Sequence, residues 1–191
     1  MYFEEDKLYH VYNRAVDKHK LFYTRENYLY FLRKVEKHLE PYCEFLAWCL
    51  MPNHFHFLIM ANEETVKTVI KAKKKRNVFS EGTRVMLSSY TRAINLQEYR
   101  RGSLLNQNTK AKSLNDEKNN ETYAFDCFQY IHQNPVKAGL VERMEDWKFS
   151  SFRYYAGFTG RLLCNKELAA EIINFDAENF VEQSYAVLGR G

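Results

Sequence analysis

The chain has 191 residues, of which 46% are apolar and 27% charged, and it carries a formal net charge of +4. That length suits one domain with an appendage, the apolar share supplies a sizeable core, and seven glycines with three prolines exclude collagen-like and linker-rich classes. No apolar stretch approaches the roughly 20 residues of a membrane span, and the opening MYFEEDKLYH lacks the basic and apolar regions of a secretory signal, so a cytoplasmic protein that engages no membrane is expected. Cys43, Cys49, Cys127 and Cys164 show no CxxC spacing, which reads as reduced thiols rather than a zinc site.

Leu8 to Arg14 alternates apolar and polar residues and predicts a strand. Thr24 is placed to cap the next segment, where Tyr28, Phe31, Leu32, Val35 and Leu39 recur at helical spacing, so residues 25–40 predict an amphipathic helix that Pro41 ends. Glu44 to Met51 and His54 to Met60 are apolar strands flanking a Pro52-Asn53 turn, an expected antiparallel hairpin. Thr65 to Lys75 reads as a basic helix with Val66, Val69 and Ile70 facing inward. Asn77 to Thr83 holds Gly82 and reads as a break, and Arg84 to Arg101 resumes helical periodicity until Gly102. A strand is expected within Ser103 to Leu114, a polar loop from Asn115 to Glu121, a helix from Thr122 to Gln133 closed by Pro135 and Gly139, and two weaker helices near 165–174 and 176–186. The order strand, helix, strand, strand, helix, strand, helix is the ferredoxin-like split β-α-β pattern. It implies an α+β domain over residues 1–155, with an antiparallel sheet carrying helices on one face and leaving the other open, and a helical tail over 156–191 packed on the same domain.

Charge is concentrated in the middle of the chain. Residues 65–112 hold twelve Lys and Arg against Glu81 and Glu98 alone, a surplus of ten, and the remainder of the chain is acidic. A solvated helix face accounts for an isolated KKKR run. A surplus sustained over nearly fifty residues is instead the footprint expected for a polyanion, with Lys71, Lys73, Lys74, Lys75, Arg76, Arg92, Arg100, Arg101, Lys110 and Lys112 as candidate phosphate contacts and Arg14, on the first strand, as a further one.

Two constellations carry chemistry. His54 and His56 alternate on a predicted strand, so their imidazoles share one face and can chelate one divalent ion, given a third ligand from elsewhere. Alone, such a pair is more commonly polar surface. Tyr130 and Asn134 lie four apart on a predicted helix and share a face. A tyrosine phenol can attack a phosphodiester as a covalent nucleophile, and an amide oxygen one turn on can complete a metal shell. The structural alternative is a core tyrosine and a helix-capping asparagine.

In order along the chain, the runs Tyr9-His-Val-Tyr-Asn-Arg14, Met51-Pro-Asn-His-Phe-His-Phe-Leu-Ile59, Arg100-Arg-Gly-Ser-Leu104, Tyr130-Ile-His-Gln-Asn-Pro-Val-Lys-Ala-Gly-Leu140 and Trp147-Lys-Phe-Ser-Ser-Phe-Arg153 resemble the single-tyrosine HUH transposases, and most closely their REP-associated branch, relatives of small insertion-sequence transposases. The resemblance covers about residues 8–155. It implies that His54, His56 and Asn134 bind Mg²⁺ or Mn²⁺ and that Tyr130 is the nucleophile. It further implies cleavage of single-stranded DNA near a hairpin, with a 5′-phosphotyrosine and a free 3′-hydroxyl, then strand transfer by the reverse step without a nucleotide cofactor. It implies a monomer acting in cis, where insertion-sequence relatives are dimers. The chain departs from the pattern in a long Lys73 to Ser89 segment, in Leu104-Leu105-Asn106, and in the polar loop at 115–121, which bear on the DNA sequence recognised.

Around this reading, Arg100 and Arg101 are expected at the DNA backbone or a hairpin base. Tyr123 and Phe128 are candidates for base stacking, with core packing as the alternative, and His132 is expected at the surface or in packing. A competing function is a non-catalytic nucleic-acid-binding module of the same fold. A metallohydrolase ranks last, because no cluster of further His and Asp ligands accompanies the pair.

Overall fold

The computed structural model describes residues 1–71, 73–115, 120–160 and 163–189, without the side chains of Lys18, Asn120 and Glu121. Its centre is a four-stranded sheet of β1 (Leu8–Arg14), β2 (Glu44–Met51), β3 (His54–Met60) and β6 (Lys110–Ser113), in the order β2-β3-β1-β6 with every pair antiparallel. This is the expected ferredoxin-like arrangement. β2 and β3 are buried almost end to end, which is why both read as continuous apolar runs rather than alternating ones.

One face of the sheet carries α1 (Arg25–His38) and α3 (Val78–Gln97). Phe31 of α1 sits over Phe55 and Phe57 of β3, and Tyr90 of α3 meets Phe31 edge-on at 4.9 Å between ring centroids. The start of α1 is fixed by Asn27, whose side-chain oxygen accepts from the backbone N–H groups of Tyr23 and Thr24.

The segment after β3 departs from expectation. In place of a basic helix over Thr65 to Lys75, a single turn α2 (Glu63–Val66) leads into an antiparallel ribbon of β4 (Thr68–Lys71) and β5 (Lys74–Asn77). The β-branched run Thr68, Val69, Ile70 favours extended backbone. A helix would also have stacked Lys71 against Lys74 and Lys75 at like-charge spacings. Lys73 takes a left-handed φ of 61° at the turn, and Ile70 faces solvent rather than the core.

Asn77 is not in a break but caps α3, its side chain accepting from the Ser80 N–H at 2.7 Å, and the helix runs straight through Gly82. Gly82 is there for packing. A β-carbon at that position would collide with the backbone carbonyl of His38, so glycine lets α3 lie against the end of α1. α3 stops at Gln97, short of the expected Arg101. Of the strand expected within 103–114, only Lys110–Ser113 forms, as the edge strand. The predicted loop at 115–121 lies largely outside the described residues.

The second face, expected to be open, is half covered. α4 (Asn120–Lys137) crosses β2 and β3, and α6 (Lys166–Ile173) and α7 (Phe180–Leu188) pack on α4. Residues 149–151 lie along β2, where Leu50 N–H donates to the Phe149 carbonyl and Ser151 N–H to that of Trp48. Their backbone pairing covers the outer edge of β2. No described helix is long and apolar enough to cross a membrane.

Candidate active site

The sheet register assembles the site. In the β1–β3 pairing Tyr12 stands opposite His56 and Arg14 opposite His54, and in the β1–β6 pairing Lys110 stands opposite Tyr12 and Lys112 opposite His10. Directly opposed residues share a face. His54, His56, His10, Tyr12, Arg14, Lys110 and Lys112 therefore line the same side of the sheet, the side that α4 half covers. Tyr130 of α4 reaches over the edge of this cover. Its ring meets His56 edge-on at 5.5 Å and His10 at 6.1 Å between centroids, while 44% of the residue stays exposed. His54 and His56 lie 4.9 Å apart.

Both predicted ligand histidines are held through the same nitrogen. His54 Nδ1 lies 2.6 Å from the Asn53 side-chain oxygen. That oxygen can only accept, so the proton sits on Nδ1 and Nε2 keeps its lone pair. His56 Nδ1 lies 2.8 Å from His10 Nε2. His56 is 5% exposed, and its Nε2 is buried with no hydrogen-bond partner. An orphaned ring nitrogen beside a second imidazole with a bare Nε2 fits a divalent cation, because imidazole lone pairs are good ligands for such ions and a partner at the other ring nitrogen fixes the tautomer. Burial pushes the His56 imidazole down to about 2, helped by His10 and His54 nearby, and burial with Arg14 beside it lowers His54. Burial, with a contribution from Lys112, takes His10 down to about 4. All three are neutral at ordinary pH, the state that ligation requires.

Asn134 lies one turn beyond Tyr130, half-buried, and its side-chain N–H donates to the Tyr130 carbonyl at 2.9 Å. That engages the nitrogen end of the amide, and the oxygen end can only accept or ligate. Among the described residues no hydrogen bond joins Asn134 to either histidine, and no group of three His, Cys, Asp or Glu is arranged to hold a metal ion, so a third ligand drawn from the described residues would be of another type, such as an amide.

The basic residues divide into three groups. Arg14, Lys110 and Lys112 border the histidines, with the Lys112 ammonium 4.8 Å over the Tyr123 ring. Lys71, Lys73, Lys74, Lys75 and Arg76 belong to the β4–β5 ribbon. Arg92 lies on the last third of α3, and Arg100 and Arg101 follow its end, where one guanidinium nitrogen of Arg100 is buried without a partner. Phe128 is fully buried and stacked on Phe175, which removes it as a base platform. His132 is wholly inside, its Nε2 2.7 Å from the Ser151 hydroxyl, and so ties α4 to the segment along β2.

Sequence reasoning missed His10 and Tyr12. The signal was present in the alternation of Leu8 to Arg14, which puts His10, Tyr12 and Arg14 on one face. It becomes informative only once β1 is known to lie between β3 and β6.

No family model matches the chain. A Haemophilus influenzae protein whose name assigns it to the REP-associated tyrosine transposases is 28% identical over 109 residues, 57% of this chain. The match spans 58% of that relative's own length. A solved structure described as a REP-associated tyrosine transposase bound to a REP hairpin superposes with a TM-score of 0.59 at 20% identity, covering 93% of each chain. The chain is thus similar in sequence, over those 109 residues, to a REP-associated tyrosine transposase, and it shares the fold of a solved one.

Proposed function

We propose that this chain cleaves and rejoins single-stranded DNA at hairpins, in the manner of a transposase, through a covalent bond to Tyr130. The observation that carries the reading is the half-exposed ring of Tyr130, 5.5 Å between centroids from the ring of His56, whose Nε2 is buried and unpartnered. The relatives' names support DNA strand transfer as the reaction class, and the hairpin bound in the structural neighbour supports hairpin DNA as substrate.

In this reading the Tyr130 oxygen attacks a backbone phosphorus. A phenolic O–P bond forms, the P–O3′ bond breaks, the phenol gives up its proton and the departing 3′-oxygen takes one up. The product is a 5′-phosphotyrosine and a free 3′-hydroxyl, and attack by a different 3′-hydroxyl reverses the step on a new strand. The ester retains the bond energy, so no nucleotide cofactor is needed. His54 and His56, with Asn134, would hold Mg²⁺ or Mn²⁺, which supplies charge to offset that developing on the scissile phosphate. Lys110, Lys112 and Arg14 bind flanking phosphates and orient the strand. α6 and α7 pack on the α4 that carries Tyr130, which supports a monomer acting in cis.

The test is incubation with hairpin DNA bearing single-stranded flanks and Mn²⁺, with covalent protein–DNA species resolved on a denaturing gel. The reading expects a shifted band that EDTA and Tyr130→Phe both abolish. Tight hairpin binding that is indifferent to EDTA, with no covalent species on any substrate, would instead identify a non-catalytic DNA-binding protein.

A further inference from the structure

A cleft of about 710 Å³ opens between the β4–β5 ribbon, α3 and the Ser103–Thr109 segment, and nothing in the reaction above uses it. Its size falls in the range of about 300–1,000 Å³ that accommodates small ligands, room for unpaired nucleotides but not for a duplex.

Its two walls differ in chemistry. Lys74 and Lys75 of the ribbon stand on one side, and Asn106, Gln107 and Asn108 on the other, all exposed. Arg76 and Arg84 also reach the cleft but are ion-paired to Glu81, at 3.7 and 2.6 Å. Lys74 and Lys75 have no carboxylate partner among the described residues.

The amide wall is held in place. Asn13, buried in β1, donates its side-chain N–H groups to the Asn106 carbonyl and the Thr109 hydroxyl, both at 3.0 Å, and Asn106 N–H donates to the Arg14 carbonyl at 2.9 Å. β6 begins at Lys110. A loop fixed at both ends presents its side chains in set positions, as direct reading of base edges requires. Asn13 is opposite Phe55 in the sheet, so the cleft lies on the α1/α3 side, away from Tyr130. The way between the two passes round β6, whose Lys110 and Lys112 are exposed on the Tyr130 side.

We propose that this cleft seats an unpaired segment of the DNA substrate, its phosphates on Lys74 and Lys75 and its base edges read by Gln107 and Asn108. The identity of the ligand as DNA rests on the function proposed above. The segment then continues round the β6 edge, along Lys110 and Lys112, to the strand at Tyr130. Sequence preference thus resides on the opposite side of the sheet from the chemistry.

The test is a binding measurement on the Tyr130→Phe protein, so that cleavage plays no part. The probes are blunt DNA hairpins and the same hairpins with a single-stranded extension of randomised sequence, from which bound molecules are recovered and read. The extension is expected to raise affinity about tenfold or more, since each good base contact is worth about 1–3 kcal/mol, and the bound pool should show preferred bases. Gln107→Ala with Asn108→Ala should erase the preference while leaving the salt dependence unchanged. Lys74→Ala with Lys75→Ala should keep the preference and reduce the slope of log affinity against log salt by about 1.4, for two lost single-strand phosphate contacts. All four side chains are exposed, so these variants keep the fold. An extension that adds no affinity, or variants that bind extended hairpins as the parent does, overturns the proposal. Adduct formation by the Tyr130 protein is scored separately, so failure of the cleft and failure of the reaction are distinguishable.

Discussion

Replacing His10 by Phe tests the arrangement of the histidines without touching a proposed ligand. His10 Nε2 is the partner of His56 Nδ1 at 2.8 Å, and His56 is buried. If His56 presents Nε2 to a cation, its Nδ1 carries the proton and His10 is the acceptor. Phenylalanine keeps the bulk of the ring and removes that acceptor. His56 then either buries an unpaired N–H, at about 1–3 kcal/mol, or moves its proton to Nε2 and loses the ligating lone pair. Both costs fall on the metal-bound state, and they correspond to Mn²⁺ binding weakened roughly 10- to 100-fold. The assay is titration with Mn²⁺ followed by the magnetic resonance signal of the free ion, with thermal unfolding in EDTA to verify that the fold is intact. His10→Gln restores an acceptor oxygen and should recover part of the affinity. A His10→Phe protein that binds Mn²⁺ as the parent does would refute the assigned tautomers and the supporting role of His10.

Three further outcomes are expected. Gly82→Ala puts a methyl group into the carbonyl of His38 and should cost about 1–3 kcal/mol as overpacking between α1 and α3, read as a lower urea midpoint with an unchanged slope. The four cysteines are buried, so native protein should be silent to a thiol reagent and all four should react once unfolded. Burial lifts the Cys127 thiol from its ordinary 9.0 to about 12. The unfolded chain therefore loses this proton before the folded one does, and the contribution, complete below pH 9, drains away as pH rises toward 12, at about 1.4 kcal/mol per pH unit. Cys127→Ala should flatten that part of a stability profile, and a profile that it leaves unaltered contradicts the stated cause.

The parts of the fold readable from sequence were those where local pattern and tertiary burial agree. β1, α1, β2 and β3 fall where alternation, helical spacing and the Pro52-Asn53 turn place them, and α4 puts Tyr130 and Asn134 on one side. The reading failed at 65–83, where two local signals misled. Val66, Val69 and Ile70 have helical spacing, but their β-branching and the crowding of lysines favour a ribbon. Gly82 looks like a breaker in sequence and is a packing contact in space, a difference visible only when His38 is known to lie beside it. The open sheet face was misjudged for a similar reason: nothing local in Thr122 to Gln133 says on which side of the sheet that helix docks. His10 belongs to the site through cross-strand register, and Lys110 and Lys112 through an edge strand of four residues, too short to announce its alternation.

The most direct test of the central claim is to locate the covalent bond. Tyr12 also stands near His56, 6.0 Å between ring centroids against 5.5 Å for Tyr130, so proximity alone leaves two phenols to compare. Protein captured on hairpin DNA with Mn²⁺, digested and sequenced by mass spectrometry, should carry its phosphonucleotide on Tyr130, in the peptide of α4. A phosphonucleotide on Tyr12, or on any other side chain, would contradict the account.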